Sequence, residues 1–94
     1  MKPRRRNKLD SQLKRKGFIS QERDHTFYFL HYKNKKTSVY TKLSHSISEY
    51  GNNLLSKMAR QLSLTSSEFE NLLECPMTYD NLIERLKERG RIET

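Results

Sequence analysis

Cysteine, tryptophan and long apolar runs are what this chain of 94 residues has least of. Its single cysteine, Cys75, excludes a disulfide within the chain and fits a reducing compartment. No apolar run approaches the roughly 18 residues that a membrane helix needs. The segment from Leu9 to Leu13 is too short and too polar to form the core of a signal peptide. We therefore expect a cytoplasmic protein that has no membrane as its partner.

The sequence also lacks the common signatures of cofactor and metal enzymes. It contains no P-loop, no nucleophile elbow, no HExxH zinc motif and no dinucleotide-binding glycine pattern. Four side chains could ligate zinc, but their spacing is not that of a zinc site. They are His25, His31, His45 and Cys75. We expect neither a metal nor a cofactor.

The whole chain has a net formal charge of +8, and acidic residues are scarce in its first two thirds. Residues 1–62 carry 15 Lys and Arg against 4 Asp and Glu, whereas residues 63–94 carry 4 against 7. A basic front with an acidic rear indicates a protein that binds nucleic acid. An anionic membrane surface is the other partner that such charge permits.

The hydrophobic pattern predicts a helix followed by three strands. Residues 1–7 carry clustered like charges, which favour a flexible basic arm. The helix covers residues 8–16 and ends at Gly17, a typical stop. Strands should then begin at Phe18, His25 and Thr37, because these runs are rich in aromatic and β-branched residues.

Helices are predicted for most of the remaining chain, after a Ser-rich loop over residues 42–51. Asn52 or Asn53 can cap the first of them. The second begins with the capping box Thr65-x-x-Glu68 and stops by Cys75, and the third covers residues 78–89. The first helix has an apolar stripe typical of core packing. Its members are Leu54, Leu55, Met58, Ala59 and Leu62.

This order predicts an α+β fold with the α-β-β-β-α layout of the double-stranded-RNA-binding fold. Short connections favour an antiparallel three-stranded sheet, covered on one face by helices. We expect three parts: the arm over 1–7, a domain over 8–75 and a C-terminal helical extension over 76–94.

The second strand should be central, because both of its faces are aromatic or apolar. Side chains alternate along a strand. One face therefore carries His25, Phe27, Phe29 and His31, and the other carries Thr26, Tyr28, Leu30 and Tyr32. Three tyrosines can have either of two roles: they can be core residues, or they can be platforms on which bases stack. They are Tyr28, Tyr32 and Tyr40.

Several short motifs in this order resemble HicA-type toxins, the YcfA-like family. A basic helix ends in Gly17-Phe18, and after a turn His25 opens an aromatic strand. A second histidine, His45, follows a later strand, and Leu62-Ser63 precedes the helix that contains Glu68-Phe69. The similarity covers roughly Leu9 to Leu73. Two departures are Arg23-Asp24, where the family has Gly-Ser, and the extension after Pro76.

The resemblance implies a double-stranded-RNA-binding-like fold, cleavage of mRNA by a catalytic histidine and neutralisation by a HicB-like antitoxin protein. His25 stands at the position of that catalytic histidine, and His45 is a possible second site residue. Histidine suits general acid–base catalysis because its pKa lies near neutrality. Without a metal, it can activate the ribose 2′-OH as the nucleophile.

Basic side chains near these histidines are the candidate RNA-binding residues, because ammonium and guanidinium groups bind phosphate directly. They are Lys14, Arg15, Lys16, Arg23, Lys33, Lys35, Lys36 and Lys42. Two other functions stay open. One is a non-catalytic RNA- or DNA-binding module on the same fold, and the other is an interaction domain that docks through its acidic C-terminal helices.

Overall fold

A helix, three long strands and three further helices follow one another in the computed structural model, which describes residues 1–74 and 76–93. The elements are β1 Arg4–Arg5, α1 Arg6–Arg15, β2 Phe18–Glu22, β3 Thr26–Tyr32, β4 Lys35–Leu43, β5 Glu49–Tyr50, α2 Asn52–Gln61, α3 Ser66–Leu73 and α4 Tyr79–Glu88. β2, β3 and β4 form one antiparallel sheet. The predicted α+β class with a three-stranded antiparallel sheet is confirmed.

The central strand of this sheet is β3, as expected from its two apolar faces. On β4, Thr41 pairs with Tyr28 and Tyr40 pairs with Phe29. The hairpin that joins β3 to β4 turns at Lys33 and Asn34, both of which have positive φ angles. Two-residue hairpin turns need such angles because their twist must match that of the strands.

The two faces of the sheet have different surroundings. Thr26, Tyr28 and Leu30 of β3 are buried among the helices, whereas Phe27 and Phe29 on the other face are only half-buried. The core joins the inner face to apolar side chains of all four helices. These include Leu9, Leu13, Leu55, Met58, Phe69, Leu72, Leu82 and Leu86. We call the opposite face, which carries Phe27 and Phe29, the outer face.

Tyr28 is a core residue and not a stacking platform. Its side chain is fully buried, and its hydroxyl donates a hydrogen bond of 2.5 Å to Oδ1 of Asp10. Burial, followed by the hydrogen bond to Asp10, raises the pKa of this hydroxyl. The bond ties the centre of β3 to α1.

The basic N-terminal segment differs from the expected arm. Arg4 and Arg5 form β1, which pairs with β5, and α1 begins at Arg6, two residues earlier than predicted. The guanidinium of Arg4 is buried and lies 2.7 Å from a carboxylate oxygen of Glu74, the C-cap residue of α3. This ion pair lowers the pKa of Glu74. Arg4 is therefore committed to holding the N-terminus on the domain.

The C-terminal helix contributes buried side chains to the same core. Leu82, Leu86 and Ile92 are buried in the cluster that also contains the sheet residues. The predicted boundary at Cys75 lies outside the described residues. On either side of it, Lys16 bonds the carbonyls of Leu72 and Met77, and Tyr79 bonds the carbonyl of His31.

The sequence predicts a cap for two helix starts, and one of these predictions is confirmed. Thr65 and Thr78 each cap a helix and form a reciprocal capping box, as predicted for Thr65. Gly51, not Asn52 or Asn53, is the N-cap of α2, and the side chain of Asn52 accepts a hydrogen bond from the amino group of Met1. In the apolar stripe of α2, Leu54 is 37% exposed, whereas the other four members are buried.

Gly17 makes a close contact with the C-terminal helix. Its φ is +90°, and a Cβ at this position would lie 2.5 Å from two ring carbons of Tyr79. The Tyr79 hydroxyl donates a hydrogen bond of 2.6 Å to the carbonyl of His31, whose N–H donates to the carbonyl of Gly17. Only glycine permits this stack of strand, turn and helix.

Gly17→Ser should therefore destabilise the protein. Positive φ in a residue with a Cβ costs about 1–3 kcal/mol, and displacement of Tyr79 adds to it. Urea unfolding measures the loss. Gly51→Ser is the matched control, because Gly51 has an ordinary φ of −85° and free space around it. Equal stability of the two variants would show that Gly17 is not constrained.

Glu68 connects α3 to α4. Its carboxylate caps α3 at Thr65 and lies 2.9 Å from Arg85 and 2.8 Å from Arg89. The hydrogen bonds from Arg89, offset in part by burial, lower the pKa of Glu68 to about 2. The carboxylate therefore stays charged in the folded state at pH values where it is protonated in the unfolded chain.

Glu68→Gln should lower the free energy of unfolding at pH 7 by roughly 1.5–3 kcal/mol, the usual range for hydrogen bonds to charged groups. Because the folded pKa is depressed, the stabilisation is complete above about pH 4.5 and is lost as pH falls towards 2. In urea unfolding, the difference in free energy of unfolding between wild type and variant should therefore become smaller between about pH 4.5 and pH 2. Glu84→Gln, an exposed carboxylate on α4, should change stability little.

Candidate nucleic-acid interface

One end of the sheet gathers the two candidate site histidines. His25 immediately precedes β3, and His45 lies two residues after β4. These chain positions meet because the strands are antiparallel and Thr26 pairs with Leu43. The fold therefore brings together segments that are about 20 residues apart in the sequence.

His45 is held by a carboxylate and a hydroxyl. Its Nε2 lies 3.0 Å from Oε2 of Glu22 and 3.1 Å from Oγ1 of Thr26. The Thr26 hydroxyl donates to the other oxygen of Glu22 at 2.9 Å. A carboxylate can only accept, so Nε2 carries the proton and Nδ1 is the basic nitrogen of the neutral ring. The bond from Thr26, and then the contact with His45, lower the pKa of Glu22.

Arg6 completes this cluster from the start of α1. Its Nη2 donates to Oγ1 of Thr26 at 2.5 Å, and its Nε donates to the carbonyl of Ser44 at 3.2 Å. Arg5, Arg6 and Asn7 line a cleft of about 300 Å³ together with His45. We call Arg6, Glu22, Thr26 and His45 the His45 cluster. It places an imidazole, held by the Glu22 carboxylate, in a cleft with Arg5 and Arg6.

His25 lies in a different setting. It lines a cleft of about 320 Å³ between the end of β4 and α2, which also contains Lys42 and Lys57. Asp24 does not bond the imidazole, since its carboxylate accepts from the backbone N–H of His25 at 3.1 Å. The ring Nδ1 is shielded from solvent and has no hydrogen-bond partner within residues 1–74 and 76–93.

The two histidines thus line separate clefts, although Ile47 contributes to both. The structure brings His45 together with Glu22 and Arg6, and His25 together with Lys42. It does not place the two imidazoles in a single cleft.

The basic residues of α1 divide into exposed and buried groups. Arg15 is exposed, and Lys14 forms an ion pair of 3.1 Å with Asp10. Lys14, Arg15 and Lys33 line a cleft of about 640 Å³ that includes His31. Lys16 differs from all of them because it is only 8% exposed.

The ammonium of Lys16 is used inside the protein. It donates to the carbonyls of Leu72 and Met77 at 2.5 and 2.6 Å. These carbonyls lie on either side of the junction between α3 and α4, so Lys16 fastens that junction to α1. The expectation that Lys16 contacts RNA does not agree with this placement, and we remove it from the candidate contacts.

The remaining predicted cations lie on the outer face or near its hairpin. Arg23, Lys36 and Lys42 each approach an aromatic ring of the outer face within 6 Å of the ring centroid. Lys33 and Lys35 are exposed around the hairpin turn. Of the tyrosines considered for stacking, Tyr40 is exposed on the outer face, whereas Tyr32 is half-buried beside Lys33 and Lys87.

Sequence reasoning missed Arg6 and Glu22. Arg6 was grouped with the flexible arm, and Glu22 with a polar turn. The available signal was that Arg6 and Glu22 both stand near the ends of predicted elements. Nothing in the linear pattern shows that these ends meet.

Two further properties concern the whole described part of the chain. None of its helices is long and apolar enough to cross a membrane. Nowhere in residues 1–74 and 76–93 do three or more His, Cys, Asp or Glu side chains come close enough together to hold a metal ion.

Lys16→Met should destabilise the fold without weakening RNA binding by the folded protein. Two carbonyls lose a charged donor, at a cost of roughly 1–3 kcal/mol. Thermal unfolding and oligonucleotide binding below the melting temperature measure the two effects. Arg15→Met is the neighbouring control, and it should leave stability unchanged. A binding loss in folded Lys16→Met larger than that in Arg15→Met would return Lys16 to the interface.

No family model, curated protein or solved structure matches this chain. The similarity to HicA-type toxins stays one of short motifs and their order. The function therefore has to be inferred from the chain's own residues and their geometry.

Proposed function

We propose that this chain is a small, metal-independent ribonuclease that cleaves mRNA, the toxin of a HicA-type toxin–antitoxin pair. The observation that carries the chemistry is the His45 cluster, in which Glu22 and Thr26 orient an imidazole beside Arg6. The position of His25 at the mouth of a basic cleft supports a second proton-transfer group.

The reaction needs three things. A base must take the proton of the 2′-OH, a cation must stabilise the charge that develops on the phosphate, and an acid must protonate the departing 5′ oxygen. Imidazole can serve as base or acid near neutral pH. In this proposal His25 and His45 act from neighbouring clefts, which share Ile47 in their linings.

The surrounding residues have distinct roles in this proposal. Glu22 and Thr26 are positioning residues, since they hold the proton on Nε2 of His45 and leave Nδ1 to accept one. Arg6 and Lys42 face the two clefts and supply positive charge to the phosphate. The product expected from attack by the 2′-OH is a 2′,3′-cyclic phosphate.

The partners in this proposal are mRNA and a HicB-like antitoxin protein, and the site of action is the cytoplasm. These parts rest on the sequence resemblance. The net charge of +8 also favours a polyanionic substrate.

A non-catalytic RNA- or DNA-binding module is the second candidate. The observation that favours it is the ordered turn before His25, where Asp24 bonds the His25 N–H and the Arg23 side chain reaches the outer face. An interaction domain that docks through acidic helices has less support. Glu68, Glu70 and Glu74 already lie within 4.0 Å of arginines of the same chain.

His25→Ala and His45→Ala should each reduce RNA cleavage by about 10²–10⁴-fold, the usual contribution of a general acid or base. Glu22→Gln should produce a smaller loss, because the imidazole is retained but less well oriented. Gel analysis of a defined RNA measures cleavage, and mass spectrometry identifies the cyclic phosphate end. Chelation of metal ions should leave the rate unchanged.

His31→Ala is the matched control, because His31 lies at the far end of β3 and its backbone contacts survive the substitution. Wild-type cleavage by both His25→Ala and His45→Ala would rule out the catalytic proposal. Salt-dependent binding with no cleavage by the wild type would establish the binding module instead.

A further inference from the structure

Three aromatic rings lie in mutual contact on the outer face of the sheet. Phe27 and Phe29 are stacked with centroids 6.1 Å apart, and Tyr40 lies 5.9 Å from Phe27 and 5.5 Å from Phe29. We call these three residues the aromatic triad. The triad exists because alternate residues of β3 point outward and Tyr40 is the partner of Phe29 on β4.

Cations surround the triad. The guanidinium of Arg23 lies 5.3 Å from the centroid of Phe27, and the ammonium of Lys36 lies 4.4 Å from that of Phe29. The ammonium of Lys42 lies 5.8 Å from the centroid of Phe27. Long, flexible side chains at these distances can shift to phosphates while the rings remain in place.

The outer face is open to solvent. Tyr40 is 41% exposed, and Ile19, opposite Phe29 on β2, is 53% exposed. An antiparallel sheet that faces water on one side normally carries polar residues there. A contiguous exposed apolar patch bordered by polar residues is typical of an interaction surface.

The charges on this face select the partner. The three strands contain one acidic residue, Glu22, and it belongs to the His45 cluster rather than to the outer face. A second copy of the chain would bring Arg23, Lys36 and Lys42 of both molecules together, and like charges at an interface oppose association. A polyanion with flat apolar groups complements both the cations and the rings.

We propose that the aromatic triad binds single-stranded RNA, with bases stacked on its rings and phosphates on Arg23, Lys36 and Lys42. The ring centroids are further apart than the roughly 3.4 Å per nucleotide of a duplex strand, so they suit splayed bases rather than a continuous stack. Duplex RNA hides its base faces and offers nothing to stack.

Lys42 connects this surface to the proposed reaction site, because it contacts Phe27 and also lines the cleft of His25. A strand bound on the triad is therefore directed towards His25. The inference that the triad is the substrate surface of a ribonuclease rests on the proposed function. It narrows the substrate of that ribonuclease to unpaired mRNA.

The test measures binding, by fluorescence anisotropy, of a labelled 2′-O-methyl oligouridine that cannot be cleaved through its 2′ oxygen. Tyr40→Ala, Phe27→Leu and Phe29→Leu should each weaken binding roughly 5- to 150-fold, the range measured for loss of one base–aromatic stack. Tyr40→Phe retains the ring and should bind as the wild type does. Ser67→Ala changes an exposed side chain of α3 and is the control away from the face.

Three results would overturn the inference in favour of another occupant. Equal affinity for a duplex of the same length would show that bases are not stacked. A dimer that Tyr40→Ala converts to monomer in sedimentation would make the face a contact between copies. Binding to vesicles containing phosphatidylserine that the same variants abolish, without loss of RNA binding, would make it a lipid surface.

The failure of this inference is distinguishable from the failure of the proposed function. The ring variants should weaken binding of the uncleavable strand, whereas His25→Ala and His45→Ala should lower the cleavage of ordinary RNA. Tight, triad-dependent binding without any cleavage of ordinary RNA would retain the inference and remove the ribonuclease. If the wild type cleaves RNA and all three ring variants bind RNA as it does, the inference about the triad fails and the ribonuclease proposal stands.

Discussion

The fold depends on a junction of two consecutive residues, Lys16 and Gly17, at the end of α1. Lys16 donates to carbonyls on both sides of the α3–α4 connection, and Gly17 leaves room for the ring of Tyr79. A buried ammonium is costly unless its donors are used, and here two of the three are bonded to carbonyl oxygens. The C-terminal helix is thereby fixed to the first helix and to the sheet at one point, which makes residues after Pro76 part of the core.

The helices pack against the inner face of the three-stranded sheet, and this leaves its outer face without a cover in the described chain. The inner face uses Tyr28 and Leu30 for packing, so the outer residues of the same strand have no role in the core. Their aromatic character is then unexplained by stability alone. The two candidate surfaces follow from this division: an acid–base cluster where the strands end beside α1, and an aromatic, cationic face where no helix of the described chain packs.

Local patterns in the sequence predicted those features that depend on near neighbours. The apolar spacing of α2, the Thr65–Glu68 box and the alternation along β3 all concern residues within a few positions of one another. The β1–β5 pair was missed because two-residue strands have no periodicity. The His45 cluster was missed because its members lie 4 to 39 positions apart and meet only when the sheet forms. Lys16 was misplaced because a lysine has the same sequence signature whether its ammonium points outward or inward.

The pairing of β1 with β5 also makes the N-terminus a support for the His45 loop. Arg6 N–H donates to the carbonyl of Ser48, and Tyr50, opposite Arg4, bonds the backbone of Ser44 through its hydroxyl. The loop that carries His45 is thus clasped at both ends by the first six residues. A change in the first six residues therefore alters the support of the loop that carries His45.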